Sequence, residues 1–374
     1  MQSASWKRLY KNKGAVTGLV VIIISVIISI GAYLWAPDNT PYADRMVLEI
    51  EGQHPGFSIP MLEMKKEQAI PRVSFFHKLL YGQPSDLTYI PLTSWKFGDS
   101  LLVIQRYVDE QTSKEEKYPL TLVWYGRPVQ DPLPAATLRE LISKERISKK
   151  TYWLGTDKFG RDILSRLLIG TRVSLGVGFI AVIISLSIGV LLGALAGYFK
   201  GRTDDVIMWL VNVVWAMPTL LLVFALTLAL GKGFWQIFIA VGLTMWVGVA
   251  RVIRGQVLAI RELEYVEAAR ALGYNHLRII ARHILPNIIG PVMVVAAGNF
   301  ATAIVVEAGL SFLGVGVQPP QPSWGLMIKE NYNFIITHNP LLALAPGIAI
   351  MVLVLAFNLL GNGLRDALDV KSKI

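Results

Sequence analysis

Val173-Ser-Leu-Gly-Val-Gly-Phe-Ile-Ala-Val-Ile-Ile-Ser-Leu-Ser-Ile-Gly-Val-Leu-Leu-Gly-Ala-Leu-Ala-Gly197 runs for twenty-five residues without a charge. A helix needs about 20 apolar residues to cross a hydrocarbon core roughly 30 Å thick, so this stretch reads as a membrane span. Further spans follow near 206–230, 234–252, 287–308 and 341–361, and one precedes it from about Ala15 to Trp35. Six helices of this kind predict an all-α membrane protein.

Composition agrees with contiguity. Of 374 residues, 53% are hydrophobic and 17% charged, whereas soluble domains carry about 25% charge. The net charge of +10 could suggest a nucleic-acid partner. Lys and Arg, however, crowd the loops beside the apolar runs, which is where membrane topology puts them, and no nucleic acid is expected. The chain has no cysteine, which excludes disulfides and Cys-ligated metals.

Charge also orients the spans. Lys7, Arg8, Lys11 and Lys13 precede the first run. That run exceeds the core of about 7–15 residues found in signal peptides and lacks a small-x-small cleavage site. Tyr33 and Trp35 at its end suit an interfacial anchor, so residues 1–36 read as a cytoplasmic N-terminus and an uncleaved first helix. Tyr198–Asp205 is a short basic loop, and Gly231-Lys-Gly233 a tight outer turn. Arg251, Arg254, Arg261, Arg270, Arg278 and Arg282 mark a long inner loop, and Arg365, Lys371 and Lys373 an inner tail. All basic segments fall on one side if both ends are cytoplasmic.

Residues 37–150 differ: proline and charge are frequent and nothing is long enough to span. Leu101–Val108 and Tyr118–Tyr125 read as short strands, predicting a small extracytoplasmic α+β insert between helices 1 and 2. Residues 151–374 then form the core unit with helices 2–6. Thr156–Asp162 reads as a short helix at the outer interface or as a solvated cap.

The loop 253–286 is the richest segment. Glu262 to Leu272 contains strong helix formers, acidic early and with Arg270 late, as the helix dipole favours. Gly273 is a natural left-handed stop, Asn275 caps a second helix, and Pro286 suits the start of another. Small side chains at Ala268, Ala269 and Ala271 would let another protein approach closely; an amphipathic helix lying on headgroups is the other reading. A DNA-binding helix-turn-helix is excluded, because spans flank the pair.

Glu267-Ala268-Ala269, then Gly273, then Leu285-Pro286, resembles the EAA loop of ABC importer permeases. His283, where that loop usually has isoleucine, resembles the dipeptide and oligopeptide branch. Leu154–Arg166, Gly309–Gly325 and Gly363–Asp369 are similar to stretches of the same branch, so the likeness covers 1–36 loosely and 150–370 closely. It implies the six-helix type I (MetI-like) fold in a bacterial cytoplasmic membrane. It implies a coupling helix docked on an ATPase, with Glu264, Tyr265, Glu267, Ala268, Ala269, Arg270, Leu272 and Gly273 as the coupling residues. The implied partners are a B-type permease, two ATP-binding subunits and an extracytoplasmic solute-binding protein. The insert is longer than the family's usual first outer segment and is not explained by the resemblance.

No Gly-x-x-x-x-Gly-Lys-Ser/Thr loop occurs, so ATP and magnesium are expected on partner subunits, with no cofactor in this chain and no enzymatic activity. Asn212, Asn299 and Glu307 stand out among the polar residues within spans. They are candidates for the substrate path; the plainer reading is inter-helix hydrogen bonding for the two asparagines, with Gly298 allowing close packing, and contact with water for Glu307. Pro218 is a candidate hinge or a static bend. His54, His77, His276, His283 and His338 are too scattered for a metal site. Import of di- or oligopeptides is the leading expectation. Nickel chelates, opines or glycosides are alternatives within the class, and a membrane-anchored ligand sensor or a secondary transporter are alternatives outside it.

Overall fold

A computed structural model describes residues 2–68, 70–71, 73–231, 233–336 and 339–368, with backbone alone over 2–6. Lys232, His338, Asp369, Lys371 and Lys373 lie outside the described residues. The chain begins with α1 (Gln2–Lys11) and the first long apolar helix, α2 (Lys13–Trp35). Asn12 caps α2, its side chain accepting from the Ala15 amide at 3.1 Å.

The insert holds β1 (Phe57–Lys65), α3 (Phe75–Tyr81), β2 (Leu87–Phe97), β3 (Leu101–Tyr107) and β4 (Ser113–Pro119). It continues with α4 (Leu120–Tyr125), α5 (Ala135–Glu145) and β5 (Ile147–Tyr152). The strands form one antiparallel sheet in the order β4-β3-β2-β1-β5, with Leu62 opposite Ile90 and Phe57 opposite Tyr152. Alternation sends Leu62, Ile90, Leu92, Leu102 and Ile104 to one face, where Leu120, Val123, Leu138 and Ile142 of α4 and α5 cover them. Ile59, Met61, Tyr107 and Tyr152 point the other way, onto Val47 and Ile50. The expected α+β insert is present.

One strand expected there is not. Tyr118 and Pro119 end β4, and Leu120–Tyr125 turns into α4. Pro119 has no N–H for a further ladder bond, Leu120 and Val123 share a helical face in the insert core, and Gly126 closes the helix at φ 74°.

The core unit contains α6 (Ile163–Phe199), α7 (Gly201–Trp215), α8 (Thr219–Leu230) and α9 (Phe234–Ile260). It goes on through α10 (Glu264–Ala271), α11 (His276–Ile279), α12 (Ile289–Phe312), α13 (Trp324–Asn331) and α14 (Leu341–Leu368). Among the described residues, five helices (α2, α6, α9, α12 and α14) are each long and apolar enough to cross a membrane. The sixth span is broken: α7 and α8 meet at 91°. The continuous helix expected over 206–230 is therefore two pieces. Pro218 starts the second, having no N–H to give the preceding turn and driving Met217 out of helical geometry. At 12 residues, α8 extends only about 18 Å and does not cross a bilayer by itself.

The helices also outrun their apolar windows. α6 starts at Ile163 and α9 ends at Ile260, because regular hydrogen bonding continues beyond the bilayer part. These two pack along a small-residue stripe. A Cβ on Gly189 would lie 2.4 Å from Val249 Cβ, and one on Gly193 would lie 2.5 Å from the Ala250 carbonyl oxygen. Such approach substitutes backbone contact for the hydrophobic drive that lipid removes. Gly193→Val is expected to separate α6 from α9 and cut the yield of monodisperse detergent-purified protein severalfold. Size-exclusion profiles check this, and a wild-type profile would contradict it.

The segment before α6 departs from both readings of it. Thr156–Asp162 is a tight loop closed by a bridge between Thr156 and Asp162, and it is sealed rather than solvated. Asp157, Arg161 and Arg166 are almost wholly buried, and both arginines meet Glu330 of α13. Arg161 Nε donates to Asp157 at 2.7 Å, its Nη1 to Asp44 at 3.2 Å, and its Nη2 to Glu330 at 2.8 Å. A charged sequence reads as solvated until its partners arrive from elsewhere. Here they arrive from the start of the insert and from α13.

Candidate functional site: the loop between α9 and α12

α10 has a two-sided design. Val266 and Ala269, three residues apart, turn inward onto Val257, Ile279, Ile280 and Ile284. Glu264, Tyr265, Glu267, Ala268 and Arg270 are exposed, as are Leu272 and Gly273 beyond the helix. Ala269 thus has its side chain packed into its own chain rather than presented outward. Glu264 and Glu267 in the first turn and Arg270 in the last complement the helix dipole.

The stop after α10 is a Schellman motif. The Gly273 amide donates to the Arg270 carbonyl at 3.0 Å and the Tyr274 amide to the Ala269 carbonyl at 3.2 Å, with Gly273 at φ 79°. Asn275 then caps α11, its side chain accepting from the Arg278 amide at 2.8 Å. A wide π turn over Ile280–Ile284 follows, where Pro286 would press on the Arg282 carbonyl of a regular helix. Pro286 lies in the first turn of the next short helical piece, Leu285–Asn287, ahead of α12.

Polar contacts fasten this loop to the bundle. Lys200 Nζ donates to Glu262 at 2.7 Å, and that hydrogen bond and charge hold Glu262 below the usual carboxylate range. The Arg261 guanidinium donates to the Tyr198 carbonyl, and the Tyr198 hydroxyl pairs with His276 Nδ1 at 2.9 Å. Asn287 Nδ2 donates to the Tyr265 hydroxyl at 3.2 Å. Arg254 grips Asp204 through two bonds of 2.5 and 2.6 Å, tying α9 to α7.

The outward surface includes residues the sequence reading did not single out. Leu263, Tyr274 and Leu277 are exposed beside Tyr265 and Leu272, with Leu272 and Leu277 each more than two-thirds accessible. Large apolar side chains in an otherwise polar loop were the available signal.

The polar residues of the spans are dispersed. Asn212 is exposed on α7 and accepts from Arg251 Nη2 at 3.2 Å. Asn299 Nδ2 donates to Ser185 Oγ of α6 at 3.3 Å, an inter-helix bond, while a Cβ on neighbouring Gly298 would meet open space rather than another helix. Glu307 neither lines an opening nor reaches water. It is fully buried, and Ser311 Oγ donates to it at 2.6 Å. Pro218 stands at the corner between α7 and α8.

Residues 189–373 match the family described as binding-protein-dependent transport system inner membrane component. Residues 1–49 match the N-terminal TM domain of oligopeptide transport permease C. Most of the insert falls between the two matches. The chain is 44% identical over 222 residues to the glutathione transport system permease protein GsiD of Pectobacterium atrosepticum, covering 59% of this chain and 73% of that one. It is 40% identical over 231 residues to the oligopeptide transport system permease protein OppC of Bacillus subtilis, covering 62% and 75%. The dipeptide transport system permease protein DppC of the same organism is 39% identical over 239 residues, covering 64% and 75%. A solved structure of the MetNI methionine ABC transporter, inward facing, overlays with a TM-score of 0.45 at 18% identity, over 54% of this chain and 96% of that one. On the sequence matches the chain belongs to the binding-protein-dependent transport system inner membrane components, the permease subunits of ABC importers.

Proposed function

We propose that this permease forms half of the membrane pathway of an importer for di- and oligopeptides, driven by ATP hydrolysis on separate subunits. Its partners would be a B-type permease, two ATP-binding subunits that carry ATP and magnesium, and a solute-binding protein. The peptide class is supported by the oligopeptide permease match over residues 1–49 and by relatives named for dipeptide, oligopeptide and glutathione transport. The basic residues near the α10 end support a cytoplasmic placement for that end and for both termini, with the insert outside.

The observation that carries the reading is α10 itself. Its outer face, with Glu264, Tyr265, Glu267 and Ala268, is open, while Val266 and Ala269 are locked into the bundle. A force applied to that outer face passes through Val257 into α9, and through Arg254 and Asp204 into α7. Closure of the ATPases would in this way switch the permease pair between inward- and outward-facing states. Glu267→Lys reverses a charge on the open face without disturbing the packed one. Co-purification with the partner ATPase subunits is expected to fall about tenfold, the equivalent of about 1.4 kcal/mol. Full recovery of ATPase with the variant would sink the docking role.

A further inference from the structure

The short helix α3 has a composition that water does not favour. Phe75, Phe76, Leu80 and Tyr81 are all exposed, Phe76 by 73%, and only Lys78 and Leu79 are half-buried. Phe75 and Phe76 contact each other edge to face at 5.9 Å, and His77 lies 5.1 Å from Tyr81. Exposed large apolar groups grouped in this way mark a contact surface.

The level of α3 is set by one arginine. Arg172 of α6 spends its guanidinium on four main-chain carbonyls. Nε donates to Ser29 at 2.5 Å and Nη2 to Ile30 at 2.7 Å, both in α2. Nη1 donates to Leu80 at 2.7 Å and Nη2 to Leu79 at 2.6 Å, both in α3. The same guanidinium lies 4.7 Å from the ring of Tyr33. The end of α3 is closed by Gly82 at φ 84°, where a Cβ would lie 2.9 Å from the Tyr33 ring. α3 is therefore pinned beside the last turns of α2.

That position is inside the end of a span. Ser29 and Ile30 precede Trp35 by six and five residues, about 8 Å along a helix. α2, at 23 residues, is about 35 Å long and overshoots a hydrocarbon core of roughly 30 Å by a few ångströms. The carbonyls held by Arg172 thus lie near the boundary of acyl chains and headgroups. Ile23, Ile27, Ile30 and Leu34 form an exposed stripe along α2 that runs up to this level. α3 packs against α2 at this level, held there by Arg172.

We propose that α3 is a lipid-facing foot, seating the insert on the bilayer by burying Phe75, Phe76, Leu80 and Tyr81 at the headgroup boundary. The occupant is lipid rather than a protein partner, because Arg172 pins α3 beside a spanning helix at the level of the headgroup boundary. The inference requires only that α2 and α6 cross the membrane, and it is independent of what is transported. It gives the insert a fixed height and tilt over the permease.

The lack of cysteine makes a direct test available. Phe76→Cys, Tyr81→Cys and the edge-strand control Lys117→Cys would each be labelled with an environment-sensitive fluorophore. Each full-length chain would be placed in phosphatidylcholine nanodiscs, alone and with the proposed partner subunits. Nitroxide lipids labelled near the headgroup are expected to quench residues 76 and 81 about twofold, as an interfacial depth implies, and more than lipids labelled near the chain end. Residue 117 should be unaffected. Emission at 76 and 81 as insensitive as at 117 would overturn the proposal. So would quenching that disappears in the assembled transporter, which would assign the face to a protein neighbour. The two labelled positions are separate variants, so loss of one to misfolding leaves the other decisive.

Discussion

Asp157→Ala is expected to lower the melting temperature of the detergent-purified chain by roughly 10 °C, or to prevent its recovery in folded form. Asp157 accepts from the amides of Phe159 and Arg161 at 2.8 and 3.0 Å, and from Arg161 Nε at 2.7 Å. It is fully buried, and so is Arg166, whose Nε lies 3.7 Å from it. Removing the carboxylate leaves Glu330 as the nearest buried counter-charge for two sequestered guanidinium groups. Breaking a buried ion pair from one side costs about 3–5 kcal/mol, because the remaining charge is stranded away from water. Asp157→Asn keeps an amide oxygen for the backbone donors and should be milder. An unchanged thermal unfolding curve for the alanine variant would show that the cluster is solvated and structurally idle.

Gly273→Pro carries the second large effect, on coupling rather than on stability. Gly273 sits at φ 79°, and proline is fixed near −65°. The substitution also deletes the amide that closes the Schellman motif on Arg270. A Cβ at this position meets nothing within 4 Å, so any effect is conformational and not steric. The outcomes should rank accordingly. Asn, which tolerates the left-handed region, should be near wild type; Ala should lose about 1–2 kcal/mol; Pro should abolish ATP-dependent uptake. Uptake into proteoliposomes and ATPase co-purification measure the series. A proline variant that transports normally would remove the stop after α10 from the coupling mechanism.

The sequence disclosed those features whose signal is local. Uncharged runs located the spans, and Gly273 with Asn275 located the turn between α10 and α11, because backbone geometry there depends on the residue itself. Pro218 pointed to a bend, though not to a 91° corner, since the angle is set by what α7 and α8 pack against. Three features were hidden for a shared reason. Leu120–Tyr125 reads as strand until Pro119 is seen ending the ladder. Asp157, Arg161 and Arg166 look solvated until Asp44 and Glu330 join them from distant parts of the chain. α3 lies in a polar insert, and only its attachment to Arg172 places its aromatic residues beside the spans. The spacing of Ala269 to Val266 points inward, yet its small side chain, like the EAA resemblance, groups it with the outward residues.

The most direct test of the central claim is peptide uptake into proteoliposomes. They would contain this chain with the proposed partners, a B-type permease, ATPases and a solute-binding protein. Accumulation of a labelled short peptide is expected to require ATP and the binding protein, to stop with vanadate, and to be lost in Glu267→Lys. Uptake driven by an ion gradient, insensitive to vanadate and independent of the ATPases, would contradict it.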